Sequence, residues 1–126
     1  MKEPYRVLVS ADDQRHAGLV MQMVAVRLNT PIRIPAPGTR LSPTALRARR
    51  VSMYLSHIAL GWPLERVGHA FGVHRQTASI ACRRIEDARD EPNLDTLLDQ
   101  LEEAIRGLCD APPPDLPALP DVPEAA

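Results

Sequence analysis

Apolar residues recur along this chain at helical rather than strand spacing. In "NLDTLLDQLEEAIRGL", Leu94, Leu97, Leu98, Leu101, Ile105 and Leu108 follow one another at three- and four-residue steps and leave most carboxylates on the other side. That spacing predicts an amphipathic helix, with Asn93 or Asp95 serving its N-terminus and Gly107 near its end. "DDQRHAGLVMQMVAVRLN" reads the same way. Asp12 or Asp13 is the expected cap, and Leu19, Val20, Met23, Val24, Val26 and Leu28 form the apolar face. "YRVLVS", just ahead of it, has strand composition but no evident partner strand.

The centre of the chain is the best organised part. "LSPTALRARRVSMYLSHIAL" opens on Ser42 as cap and Pro43 at the first helical position, where a missing N–H costs nothing. Leu46, Val51, Tyr54, Leu55 and Ile58 supply an apolar side, and Arg47, Arg49 and Arg50 project mostly elsewhere. Gly61 ends this helix, Pro63 opens a short one, "PLERVGHAF", and Gly72 stops that after about two turns. "VH" completes a tight turn before "RQTASIACRRIEDARDE", limited by Pro92, in which Ala78, Cys82, Ile85 and Ala88 or Arg89 share one face.

Proline marks the boundaries. "TPIRIPAPGTRL", with three prolines and a glycine within eight residues, predicts an extended connector and a boundary near residue 38. The last seventeen residues hold six prolines and no basic group, which predicts a disordered or polyproline-like tail. The expected organisation is an N-terminal segment over 1–38, a helical domain over 39–109 and an acidic tail over 110–126.

Composition sharpens this. With aromatics at 3% the core must be aliphatic, which favours helices over a sheet, and the expected fold class is all-α. The net charge of -1 conceals a gradient. Residues 1–38 carry five basic and three acidic groups, residues 39–90 nine arginines against four carboxylates, and residues 91–126 one arginine against nine carboxylates. An Arg-rich centre therefore precedes an acidic helix and tail, and its field favours a polyanion. The only lysine is Lys2, so the basic groups are guanidiniums, whose forks suit phosphates and guanine edges. Cys82 and Cys109 lack ligand spacing and a secretory leader, and are expected to be reduced thiols, one of them in a core. No apolar run is long enough to span a membrane, and a cytoplasmic, nucleoid-associated location is expected.

A short helix, a glycine-containing turn and a second helix with an apolar inner face predict a helix-turn-helix. Val67, Ala70 and Phe71 would bury the supporting helix, and Ala78, Cys82 and Ile85 the recognition helix over 75–89. Arg75, Gln76, Thr77 and Ser79 are then the candidates for base contact: Arg75 to guanine, Gln76 to adenine, and Thr77 to a thymine methyl or a phosphate. His74 would contact phosphate or cap the turn. Arg47, Arg50 and Arg83 are candidates for the DNA backbone.

"RARRVSMYLSHIALGWPLERVGHAFG…TASIACRRIEDARDE" resembles the C-terminal DNA-binding domain of the bacterial chromosomal replication initiator DnaA, a fold related to the Trp repressor. The likeness covers roughly residues 40–106 and rests on Arg49 through Leu55, Leu64 through Gly72, and Ala81 through Ile85, in that order. It implies a stand-alone helix-turn-helix with an extra N-terminal helix. The head of the recognition helix departs from the family. Its initiators carry Asp-His-Thr-Thr there, whereas this chain has His74-Arg75-Gln76-Thr77 after a turn one residue shorter, and only Thr77 is retained. Binding to the initiator's usual box is therefore not implied. The family's minor-groove arginine has Arg40 as its nearest counterpart. The initiator's ATP-binding module is absent, as no Gly-rich loop ends in Lys-Ser/Thr.

The remaining chemistry is sparse. His57, His69 and His74 lack a Cys or carboxylate completing a ligand spacing, so no metal and no cofactor are expected. Glu86, Asp87 and Asp90 read as a solvated strip without acid–base chemistry, and Trp62 as a packing anchor. The last helix either covers the core or, with the tail, docks a partner. The expected function is a non-enzymatic, sequence-specific binder of double-stranded DNA. It would regulate transcription with a partner such as RNA polymerase, a companion activator or a DNA-bending protein. Control of replication initiation at initiator sites, and an adaptor that has lost DNA contact, are the alternatives.

Overall fold

A computed structural model describes residues 10–30, 40–112 and 115. Most of the connector, nearly all of "YRVLVS" and most of the proline-rich tail lie outside the described residues. The described chain forms five helices and no strand: α1 (Ala11–Leu28), α2 (Pro43–Ile58), α3 (Leu64–Phe71), α4 (Arg75–Ala88) and α5 (Pro92–Asp110). It is an all-α bundle.

Each helix start has a local cause. Ser42 caps α2 by accepting the Ala45 N–H at 3.2 Å, with Pro43 following it as expected. Two caps differ from expectation. Ser10, not Asp12 or Asp13, caps α1, accepting the Asp13 N–H at 3.0 Å, and the two aspartates fall in the first turn where the helix dipole favours them. Glu91 caps α5 by accepting from Asn93 and Leu94, so Asn93 and Asp95 lie inside the helix. The reason is Pro92, which takes the first helical position of α5 and pushes the cap back to Glu91.

The centre of the bundle is α2, which contacts α1, α3, α4 and α5. All six residues from Val51 to Ser56 are buried, so the expected one-sided apolar face is instead burial all round. Ser52 and Ser56 tolerate this because each hydroxyl donates to the carbonyl one turn back, on Ala48 at 2.8 Å and on Ser52 at 2.9 Å. From α1, Val20 and Val24 join Leu55, Ile85, Leu98 and Ile105 in the larger apolar cluster. Ala17 joins Trp62, Val67, Phe71 and Ala78 in a second cluster beneath the α3–α4 corner. Trp62 is 3% exposed, an anchor as expected, and Arg66 stacks over its ring at 4.6 Å.

Two expected core residues lie outside. Val26 is 79% exposed and Leu108 59% exposed. The buried stripe of α1 runs through Ala17, Val20 and Val24, and two residues beyond Val24 a helix has turned about 200°. Leu108 lies past Ile105, the last buried residue of α5.

Polar links join the helices, among them Arg27 of α1 to Gln100 of α5 and Arg106 of α5 to the Ile58 carbonyl of α2, each at 3.2 Å. Arg66 forks onto Asp13 at 2.8 and 2.5 Å, tying α3 to α1 and holding the Asp13 carboxyl below its ordinary range. Arg49 donates to the Phe71 carbonyl, tying α2 to the end of α3. Arg89 donates to the Tyr54 hydroxyl at 3.0 Å and to Asp95 at 2.6 Å, pairs with Asp99, and approaches Glu102 at 3.7 Å. Burial opposes the Arg89 charge, but the bonds from Tyr54 and Asp95 outweigh it and raise its pKa. Tyr54 in turn donates to Glu86, which stays exposed with Asp87 and Asp90, as expected, while accepting this bond.

Two glycines give opposite expectations. A Cβ on Gly68 would lie 2.7 Å from the Val73 carbonyl oxygen, where the backbone crosses α3, whereas one on Gly18 meets nothing within 4 Å. Gly68→Ala should lower stability by about 1–3 kcal/mol through that clash, despite the better helix former. Gly18→Ala should raise it by about 0.5–1 kcal/mol. Thermal melts of the two variants check both signs.

Alkaline pH gives a second test. Burial, then the Glu86 carboxylate, pushes the Tyr54 phenol from 10.0 to about 12, and burial pushes the Cys82 thiol from 9.0 to about 11. Both groups are neutral when protonated, so the folded chain holds these protons more tightly than the unfolded chain. The resulting stability is complete below the unfolded values and is lost as pH rises through the folded ones. Melting temperature should fall progressively from about pH 9 to about pH 12. Cys82→Ala should remove the lower part of that fall and Tyr54→Phe the upper part.

Candidate nucleic-acid interface

The corner between α3 and α4 is built by three residues. Gly72 closes α3 in the left-handed region at φ 68°, which an L side chain would resist. Val73 follows and donates its N–H to the Gly68 carbonyl at 2.9 Å. His74 is then extended, and its Nδ1 accepts the Gln76 N–H at 3.1 Å, which caps α4.

This cap places Arg75, Gln76 and Thr77 in the first turn of α4, all three exposed. The inner face of the helix is Ala78, Ala81, Cys82 and Ile85, all buried, and Ser79 is half-buried at the margin. Arg83 and Arg84 are exposed further along. Arg40 is exposed just ahead of α2, Arg47 is exposed on it, and Arg50 is half-buried. The structure thus brings His74, Arg75, Gln76 and Thr77 together at one helix start, with Ser79 and Arg83 on the same helix. Arg40, Arg47 and Arg50 belong to α2 and its approach.

The arginines between residues 39 and 90 fall into two groups. Arg49, Arg66 and Arg89 are committed to the fold by the bonds described above. Arg40, Arg47, Arg50, Arg83 and Arg84 make no ion pair or side-chain hydrogen bond among the described residues. Arg75 stands between the groups, with Glu65 of α3 at 3.6 Å and both side chains more than half exposed. A pair so wet is worth about 0–1 kcal/mol, so Arg75 is readily drawn to another anion.

Reasoning from the sequence missed two residues of this surface, Arg84 and the exposed Ile80. The signal was present: once Ala78, Cys82 and Ile85 define the inner face, the helical period puts Ile80 outward. An isoleucine, however, suggests a core when no neighbour is known.

Other surfaces offer different chemistry. An open, mostly apolar groove of about 500 Å³ lies between α1 and α5, lined among others by Leu19, Met23, Val26 and Leu101. No group of three or more His, Cys, Asp or Glu residues is placed to hold a metal among the described residues. No helix among them is long and apolar enough to cross a membrane. Compared with known protein families, curated proteins and solved structures, the chain matches none.

Proposed function

We propose that this protein binds double-stranded DNA in a sequence-dependent manner, with α3 and α4 acting as a helix-turn-helix and the first turn of α4 entering the major groove. The observation that carries the proposal is the division of the arginines. Where a guanidinium between residues 39 and 90 has a structural role it is bonded into the fold; Arg75 has only its exposed pair with Glu65, and the others, on α4, on α2 and just ahead of α2, have no partner among the described residues. Leaving that many like charges unpaired opposes the compact state, a cost that a polyanion offsets on binding. The likeness to the DNA-binding domain of DnaA supports the same assignment.

The roles follow from chemistry. Arg75 forks to guanine O6 and N7, Gln76 pairs with adenine, and Thr77 and Ser79 contact bases or adjacent phosphates. Arg40, Arg47, Arg50 and Arg83 act on the backbone or minor groove, and His74 sets the start of the reading helix. A domain of this kind acts by occupying a site and engaging a second protein. We therefore place it in transcription regulation, alongside RNA polymerase, an activator or a DNA-bending protein.

Selection of bound duplexes from a random pool, followed by fluorescence polarisation, tests this. Arg75→Ala with Gln76→Ala should weaken the selected duplex by at least about tenfold and leave random duplex nearly unchanged. The logarithm of affinity should fall with that of salt at a slope near -4 if the four backbone arginines each meet a phosphate, at about -0.9 per contact. Equal affinity for selected and random duplex in both proteins would overturn the sequence-dependent reading. A flat salt response would overturn DNA binding altogether.

Glu65 provides an independent check, because its carboxylate competes with DNA for Arg75. Glu65→Gln should tighten binding by up to about fivefold, the worth of an exposed ion pair. Weaker binding in this variant would place Arg75 outside the interface.

A further inference from the structure

We infer that Ile80 reads the 5-methyl group of a thymine, so that the site bound by this protein carries an A·T pair beneath the middle of α4. This rests on the DNA reading above and assigns a specificity-determining role to a residue outside the polar set.

The position is set by the helix. Ile80 is a large aliphatic residue, 55% exposed, at the middle of α4, and it belongs to neither apolar cluster. Taking about 100° per residue from the buried stripe of Ala78, Ala81, Cys82 and Ile85, the outward direction falls among Gln76, Ile80 and Arg83. All three lie within about 30° of it. Along the axis Gln76 precedes Ile80 by about 6 Å and Arg83 follows by about 4.5 Å. Base pairs are stacked about 3.4 Å apart, so Gln76 and Ile80 address neighbouring or next-neighbouring pairs, and Arg83, further along the helix, reaches the backbone beside them.

Chemistry then selects the base. Gln76 and Arg83 offer hydrogen-bonding groups, whereas Ile80 offers none. In the major groove the thymine methyl is the one apolar group on a base-pair edge; elsewhere an approaching isoleucine strips water from donors and acceptors without replacing it. Thymine is thus favoured by contact, and other bases are penalised by desolvation. A β-branched side chain on a helix is held largely in one rotamer, so Ile80 presents its methyl groups in a defined place at small entropic cost.

Uracil supplies the test, since it differs from thymine by that methyl alone. Each thymine of the selected duplex is replaced singly by uracil, and binding is measured by fluorescence polarisation. Burying one methyl corresponds to about a fourfold change in affinity. With wild-type protein, uracil at one position under α4 should weaken binding by about that factor. With Ile80→Ala, thymine and uracil at that position should bind equally. Ile80 is more than half exposed and outside both apolar clusters, and circular dichroism should show the helices retained in the variant. The uracil scan on unaltered protein needs no variant to fold. A wild-type protein indifferent to every uracil overturns the inference, as does a uracil effect that survives Ile80→Ala, since Thr77 would then be the reader. Both outcomes leave DNA binding standing. Failure to enrich any duplex from the pool overturns the DNA reading and this inference together.

Discussion

Ser52 and Ser56 donate their hydroxyl protons to carbonyls one turn back, and this lets six consecutive residues of α2 be buried away from water. An unsatisfied hydroxyl there would cost about 1–3 kcal/mol, and a larger side chain would not fit so closely between neighbours. With α2 able to pass through the middle of the bundle, each of the other helices needs only one apolar stripe. For α1 that stripe is Ala17, Val20 and Val24; for α4 it is Ala78, Ala81, Cys82 and Ile85. The outer faces are then released from packing, and the proposed reading surface occupies one of them.

Charge is arranged on the same plan. Arg89 sits where α2, α4 and α5 meet and gathers Tyr54, Asp95, Asp99 and Glu102 around it. The acidic helix that gives the chain its negative C-terminal third therefore has a structural use for part of its charge: it neutralises a guanidinium that burial would otherwise disfavour. Arg66 and Asp13 play the corresponding part between α3 and α1. Among the described residues, the arginines left uncommitted lie on α4, α2 and the residue leading into α2. The proposed DNA-binding face is what is left after the fold has satisfied its own electrostatics.

Much of the architecture was legible in the residues. Ser42-Pro43 announced the start of α2, Gly72 the end of α3, and the three-four spacing of Ala78, Cys82 and Ile85 the inner side of α4. The failures share one origin. Capping by Ser10 and Glu91 was misassigned because aspartate and asparagine nearby are equally good caps by type, and the backbone decides among them. Val26 and Leu108 were read as core because apolar spacing does not reveal where the neighbouring helix ends. Ile80 was not singled out at all. The polar candidates Arg75, Gln76 and Thr77 were legible because a tight turn followed by an inner stripe leaves them little choice but to face solvent.

By itself the sequence determined the all-α class, where the helices over residues 11–110 begin and end to within a residue or two, and the corner that exposes the first turn of α4. These depend on interactions within a few residues: caps, proline and glycine backbone preferences, and the helical period. Tertiary structure alone decided that α2 is central, that Glu86 receives the Tyr54 hydroxyl, and which arginines are bonded into the fold. Those outcomes depend on groups brought together from distant parts of the chain, such as Arg66 and Asp13 or Arg89 and Tyr54. A guanidinium has the same identity in either role, and only the acceptors folded against it, a carbonyl for Arg49 and carboxylates for Arg66 and Arg89, separate a structural arginine from one available to bind.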